Sequence, residues 1–169
     1  MRNPRLALIR LLILDVDGVL TDGALPYDGH ENRVKTFFVQ DGMALRLWQN
    51  MGGLAAIISG RQSEAVETRA GELGIETVRQ GVTDKLACYD EICRGAGVSD
   101  EAVCVVGDDL PDLPPMRRCG YPIAVANANR QVKRAARTVT RHAGGAGAVA
   151  EAVERLLRQN GTWQEAMRL

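Results

Sequence analysis

Leu11-Leu12-Ile13-Leu14-Asp15-Val16-Asp17-Gly18 is an uninterrupted apolar run that stops abruptly on two carboxylates and a glycine. A strand buried on both faces reads as a continuous hydrophobic run, whereas one wetted on a single face alternates. The same form returns at residues 54–59, 103–106 and 123–126, and more weakly at 76–79. Between these runs the apolar residues fall three and four apart: Ala44, Leu47 and Trp48; Val66, Ala70 and Leu73; Leu86, Tyr89, Ile92 and Cys93; and, near the end, Val149, Val153, Leu156 and Leu157. That is helical spacing. Strand alternating with helix this regularly predicts an α/β fold, a doubly wound parallel sheet with helices on both faces.

One stretch departs from the alternation. Residues 22–40 hold Tyr27-Asp28-Gly29 between 24–26 and 34–39, and Asp-Gly is a tight-hairpin signal, so a β-hairpin flap is expected after the first strand. Gly144-Gly145-Ala146-Gly147 reads as a tight loop opening the last helix. No internal repeat or linker divides the chain, and residues 1–169 are expected to form a single domain.

Hydrophobic residues are 46% of the chain and charged residues 25%, the balance of a protein that folds in water. Lys plus Arg and Asp plus Glu number 21 each, which leaves no global excess to draw the protein onto a nucleic acid or an anionic membrane. Cys88, Cys93, Cys104 and Cys119 include no C-x-x-C pair, and two histidines are too few to complete a zinc site. They are expected to be reduced thiols filling the core. The apolar runs at 6–9 and 11–14 are too short for a signal peptide or a membrane span, so the cytoplasm is the expected compartment. His30 and His142 have no companion pattern and read as solvated loop positions.

In an open parallel sheet, ligands bind beyond the carboxyl ends of the strands. Those ends carry Asp15 and Asp17, then Ser59 and Gly60, then Gly107-Asp108-Asp109 followed by Asp112, while Lys85 opens the helix before that last strand. Gathered carboxylates repel and raise each other's pKa unless a cation lies among them. Magnesium, a hard ion that takes a few oxygen ligands, is the natural one, with Asp15 and Asp108 as its candidate carboxylates. A carboxylate can attack phosphorus to form an aspartyl-phosphate while a second carboxylate moves the proton at the leaving oxygen. Asp15 is therefore the candidate nucleophile and Asp17 the candidate acid/base. The Ser59 hydroxyl and Lys85 ammonium can meet the charge on the phosphoryl oxygens, and Gly18 and Gly60 let backbone N–H groups close on a phosphate. Asp109 and Asp112 have two readings, as groups orienting waters on the metal or as caps of the next helix.

Asp15-Val16-Asp17-Gly18-Val19-Leu20-Thr21-Asp22-Gly23, Ile57-Ile58-Ser59-Gly60-Arg61-Gln62-Ser63, Lys85-Leu86 and Gly107-Asp108-Asp109-Leu110-Pro111-Asp112-Leu113-Pro114 resemble, in order and spacing, the four motifs of the haloacid-dehalogenase (HAD) phosphatase superfamily. Within it the chain is similar to the sugar-acid phosphatases that act on 3-deoxy-D-manno-octulosonate 8-phosphate or on nonulosonate 9-phosphates. That likeness extends over Val34-Lys35-Thr36-Phe37-Phe38-Val39-Gln40-Asp41-Gly42 and residues 144–151.

The resemblance implies a Mg2+-dependent phosphoric monoester hydrolase with the metal held by Asp15, the Asp17 carbonyl and Asp108. It implies contacts to a small-molecule sugar phosphate from Phe38, Val39, Gln40, Asp41 and Gly42, and from Arg46, Arg61 and Arg69. It also implies a homotetramer in which the flaps assemble. Gln40 and Ala150 stand where the family usually has Arg, and Met43-Ala44-Leu45 where a Tyr-Gly-Ile-like run is usual. Two guanidinium groups that could meet a sugar acid's carboxylate are thus absent. The short intervals from Ser59 to Lys85 and from Asp22 to Asp41 leave no room for a cap domain, so a neighbouring subunit is the expected cover of the pocket.

Arg61 and Arg69 also have a plainer reading, as surface ion-pair partners of Glu64, Glu67 and Glu72 on one helix. Two other function classes fit parts of the pattern. A catalytically idle HAD-like tetramerisation module would keep the fold without needing the acidic site. A signalling receiver domain also uses acidic residues and Mg2+ on a doubly wound sheet, but takes phosphate on a central strand. The expected reaction is hydrolysis of an acidic sugar's phosphate, octulosonate 8-phosphate first and a nonulosonate 9-phosphate as the alternative.

Overall fold

The structure is a computed structural model that describes residues 9–26 and 34–168. Six strands form one sheet: β1 (Leu11–Leu14), β2 (Leu54–Ile58), β3 (Thr77–Arg79), β4 (Val103–Gly107), β5 (Tyr121–Ala124) and β6 (Thr138–Val139). Their order is β3-β2-β1-β4-β5-β6, and every neighbouring pair is parallel. The chain winds outward from β1 to β3, returns across the sheet, and winds outward again from β4 to β6. The reversal falls between β1 and β4, where an open sheet leaves a crevice at its carboxyl edge. β1 and β4 are buried along their whole length, because helices cover both faces; that is why their sequences do not alternate.

The connecting helices are α1 (Val39–Asn50), α2 (Glu64–Leu73), α3 (Lys85–Ala96), α4 (Leu113–Arg118) and α5 (Arg130–Ala135), and two more follow the sheet, α6 (Ala148–Asn160) and α7 (Trp163–Ala166). In α6, Val149, Ala152, Val153, Leu156 and Leu157 are buried, one stripe at three- and four-residue spacing. It packs against α1, whose Leu45 and Trp48 are buried with it. Each fully buried Leu of this seam contributes about 1.5–3 kcal/mol relative to an exposed one. The four cysteines are free and buried, as core fillers should be.

Several local expectations need correction. The turn expected at Tyr27-Asp28-Gly29, and His30, lie outside the described residues. The flanks expected as flap strands carry no strand: 22–26 and 34–38 are irregular, and Val39 opens α1 instead of ending a strand. β5 begins two residues earlier than its apolar run suggested and includes Pro122, whose carbonyl accepts from the Arg137 N–H at 2.9 Å. The two-residue β6 and the short α4, α5 and α7 had no periodic signal. Pro114 and Pro115 lie within α4, where a proline of the first turn forfeits only an N–H that has no helical partner.

Candidate active site

β1 delivers Asp15 to the crevice, and its N–H donates to the Val106 carbonyl of β4 at 3.2 Å, which fixes the two strand ends side by side. Asp108 follows β4 directly. The intervening loop Val16–Leu20 turns sharply at Gly18, whose φ is +95°. Only glycine adopts that conformation without strain.

Lys85 enters from the neighbouring crossover as the first residue of α3. Asp84 caps that helix, its carboxylate accepting from the N–H groups of Leu86 and Ala87, each at 3.0 Å. The cap sets the helix start, and with it the aim of Lys85. Lys85 Nζ donates to Asp15 Oδ1 at 2.6 Å and to Asp112 Oδ1 at 2.7 Å. The lysine is 8% exposed. Burial works against its charge, yet the carboxylates of Asp15 and Asp112 outweigh that and hold its pKa above the ordinary lysine value.

Asp112 holds two groups at once. Its Oδ2 accepts from the N–H groups of Asp108 at 3.0 Å and Asp109 at 3.3 Å, tying down the turn that follows β4. Its Oδ1 shares Lys85 with Asp15. One oxygen each of Asp15, Asp108 and Asp112 lie within 4.8 Å of one another. Burial first, then the nearby carboxylates, push Asp15 up to about 6 and Asp108 up to about 8, against the pull of Lys85. Three carboxylates around one ammonium leave a buried excess of negative charge, made entirely of hard oxygen donors. A divalent magnesium ion fits that donor set in charge and in chemistry.

Asp17 lies at the mouth of the same crevice, 20% exposed at its side chain. Its Oδ1 accepts from Lys35 Nζ, and Arg61 Nε stands 3.9 Å from its Oδ2. Ser59 follows β2, whose Ile57 is in register with Leu14, so it stands at the same sheet edge, buried to 2% exposure. Its hydroxyl accepts from the Arg61 N–H at 3.2 Å. A Cβ at Gly60 would meet only the Val82 carbonyl, at an ordinary 3.6 Å, so no crowding within this chain demands glycine there.

The residues assigned to the sugar are more scattered. Val39 and Gln40 are exposed in the first turn of α1. Asp41 and Gly42 are buried. Asp41 Oδ1 accepts from the Ala150 N–H at 2.8 Å, which makes Asp41 a cap on the start of α6. Phe38, Asp41, Gly42 and Arg69 line one narrow pocket between α1 and α2, and Arg69 pairs with Glu72 at 2.9 Å. Arg61 precedes α2 and is not on it, so its expected helical ion pairs give way to the contact with Asp17. Arg46 is not brought to the carboxylates: its guanidinium lies beside Gly74, at the C-terminal end of α2.

Two contributors carried no sequence signal of their own. Lys35 reaches Asp17 across 18 residues of sequence. Asn127 bridges two loops: its Nδ2 donates to the Gly18 carbonyl at 3.3 Å and its Oδ1 accepts from the Gly144 N–H at 2.8 Å. Residues 144–147 thus do more than open α6. Gly144 packs so tightly that a Cβ there would sit 1.8 Å from the Gly18 carbonyl oxygen. His142 is not simply solvated; its Nδ1 lies 2.9 Å from Glu151 Oε2, which also accepts from the N–H groups of Arg141 and His142.

A carboxylate pair after β1, a serine after β2, a lysine opening α3 and an aspartate after β4 converge on one crevice. A model of the haloacid dehalogenase-like hydrolase family matches residues 68–153. The chain is also 42% identical, over 94% of its length and 84% of the relative's, to 3-deoxy-D-manno-octulosonate 8-phosphate phosphatase KdsC of Escherichia coli strain K12. This protein belongs to the haloacid dehalogenase-like hydrolase family. The hydrolase superposes with TM-score 0.95 at 36% identity on the 3-deoxy-D-manno-octulosonate 8-phosphate phosphatase of Moraxella catarrhalis, solved with a magnesium ion, a phosphate ion and KDO, covering 98% of this chain and 95% of that one. It superposes with TM-score 0.93 at 34% identity on the cobalt-bound deoxy-D-mannose-octulosonate 8-phosphate phosphatase of Haemophilus influenzae, covering 98% and 99%.

Proposed function

We propose that this hydrolase is a magnesium-dependent phosphatase that removes the phosphate of 3-deoxy-D-manno-octulosonate 8-phosphate. The observation that carries the reading is the convergence of Asp15, Asp108 and Asp112 around Lys85 at the crevice between β1 and β4. The similarity to octulosonate phosphatases along nearly the whole chain supports the substrate.

Asp15, the Asp17 carbonyl and Asp108 are the groups that would hold magnesium. When bound, the ion offsets negative charge on the transferring phosphoryl group and on the carboxylates themselves. Asp15 attacks phosphorus as its ester bond to the sugar oxygen breaks, and Asp17 gives the departing oxygen its proton. Asp17 then takes a proton from the water that attacks the aspartyl-phosphate, which frees inorganic phosphate and restores Asp15. The Lys85 ammonium and the Ser59 hydroxyl meet the phosphoryl oxygens, while Asp112 keeps Lys85 and the Asp108 turn in place.

The reading includes a single domain over residues 1–169 without a cap, working as a homotetramer in the cytoplasm. Leu25, Val34, Val39 and Met43 are exposed apolar side chains on either side of residues 27–33 and along the outer face of α1, a surface suited to burial between subunits near the site. Four free buried cysteines suit a reducing compartment.

The test is phosphate release, with magnesium or with chelator, from octulosonate 8-phosphate, nonulosonate 9-phosphate and hexose phosphates, using wild type and Asp15→Asn. Magnesium-dependent release with preference for the octulosonate ester, lost in Asp15→Asn, is expected. Full activity in that variant ends the mechanism, and equal rates on all esters end the substrate assignment.

A further inference from the structure

Lys35 is a lysine in irregular chain, and yet its side chain is only 7% exposed. An ammonium withdrawn from water is costly unless it is paired. Its partner is Asp17 Oδ1, the carboxylate assigned to proton transfer, so the cost of burying Lys35 is met inside the reaction crevice. The other oxygen of Asp17 faces Arg61 Nε at 3.9 Å. Arg61 is in turn located by its own N–H, which donates to the Ser59 hydroxyl at 3.2 Å. The two cations are unequal: the Arg61 side chain is 45% exposed, so its pull on Asp17 is screened by water. Lys35 is the buried grip.

We infer that Lys35 is a positioning residue for the proton-transfer step: it holds the Asp17 carboxylate at the angle from which a proton reaches the leaving sugar oxygen. The inference rests on the reading of this chain as a phosphatase with Asp17 as its acid/base. Asp17 lies on the loop Val16–Leu20, and its side chain is otherwise free to turn toward solvent at the mouth of the crevice. A general acid contributes only while it points at its target, and such a group is worth roughly 10²–10⁴-fold in rate. Lys35 arrives from the segment that leads into α1, on the far side of residues 27–33. It therefore also couples that segment to the chemistry.

The dependence on leaving group separates this role from its rivals. A sugar alkoxide needs its proton as the ester bond breaks, whereas a nitrophenolate departs without one. In Lys35→Met, kcat/KM on octulosonate 8-phosphate is expected to fall about 10- to 100-fold with KM changed little, while kcat/KM on p-nitrophenyl phosphate falls less than about threefold, because kcat/KM ends at departure of the leaving group and omits the aspartyl-phosphate hydrolysis that both esters share. Lys35→Arg restores part of the loss. In the Asp17→Asn background, where the acid is already gone, Lys35→Met costs no further activity.

Thermal unfolding of Lys35→Met and Lys35→Arg accompanies the kinetics, so that a folding defect registers as such. Equal losses on both esters, or a rise in KM alone, overturn the inference and leave the phosphatase reading intact. A wild-type protein without magnesium-dependent hydrolysis overturns both.

Discussion

The Asp108 carboxylate packs directly over the Cα of Gly18: a Cβ on Gly18 would meet Asp108 Oδ2 at 2.1 Å. The loop that carries Asp17 and the turn that carries Asp108 therefore close on each other only because position 18 lacks a side chain. Gly18 also has φ +95°, so a substitution adds backbone strain of about 1–3 kcal/mol to the clash. In Gly18→Ala the relief falls on Asp108, because backbone moves less readily than a carboxylate. We expect phosphatase turnover to drop at least about tenfold and the magnesium concentration for half-activity to rise, with the circular dichroism spectrum retained. Wild-type metal dependence in this variant would contradict the placement of Asp108 as a ligand.

Lys85 stands between two acids, 2.6 Å from Asp15 and 2.7 Å from Asp112. Removing it leaves two buried carboxylates facing one another without their ammonium. Breaking a buried pair by deleting one partner costs about 3–5 kcal/mol, and Lys85→Met should lose that much in urea denaturation of the metal-free protein. Adding Asp112→Asn to Lys85→Met should recover part of the stability and none of the turnover. A Lys85→Met protein as stable as wild type would place the two acids further apart than they stand here.

The sheet and the residues gathered at its edge were legible in the sequence for one reason: the central strands β1 and β4 are buried on both faces, so their apolar runs end abruptly where the chain meets the crevice. Asp15 and Asp108 stand at those ends, Ser59 at that of β2 and Lys85 at the start of α3, so reading the ends found the cluster. What stayed hidden depends on partners far away in sequence. Lys35 matters through Asp17, Asn127 through Gly18 and Gly144, and Asp41 through Ala150, pairings that only the folded chain creates. β6 is two residues long, too short to show a period, and α4 begins with prolines that read as a break. Arg46 looked like its neighbours in sequence, but its turn of α1 points it toward Gly74.

The raised carboxyls fix how stability should follow pH. Asp15 is pushed up to about 6 and Asp108 to about 8, against an ordinary value of 3.8. As pH rises above 3.8 the unfolded chain gives up protons that the folded one keeps. Stability of the metal-free protein therefore falls as pH climbs from about 4 to about 8, then levels off. A cation that binds the ionised cluster stabilises over the same window, and more strongly at its upper end. We expect the rise in Tm on adding magnesium to be several degrees near about pH 8 and much smaller near about pH 5. In Asp108→Asn the fall of metal-free Tm with pH should flatten. A magnesium shift of equal size at both pH values would show that the ion stabilises the fold from somewhere else.

Asp41 has a structural duty that a substrate contact would have to share. Its Oδ1 accepts from the Ala150 N–H at 2.8 Å, while its Oδ2 is buried without a hydrogen-bond partner among the described residues. Burial pushes its pKa upward, and the N–H groups at the start of α6 pull it back. Its carboxylate thus serves as the N-cap that Gly147 cannot supply, delivered from α1 across the α1–α6 seam. Removing a cap of this kind costs about 0.5–2 kcal/mol, and Asp41→Ala should lower Tm by a few degrees. If the cap is its whole contribution, kcat/KM per folded molecule is unchanged at a temperature well below the transition. If the oxygen without a partner is held in reserve for a sugar hydroxyl, KM for the sugar phosphate rises while p-nitrophenyl phosphate, which has no such hydroxyl, is hydrolysed as before. Comparing the two esters in this one variant assigns Asp41 either to the helix alone or to the helix and the sugar together.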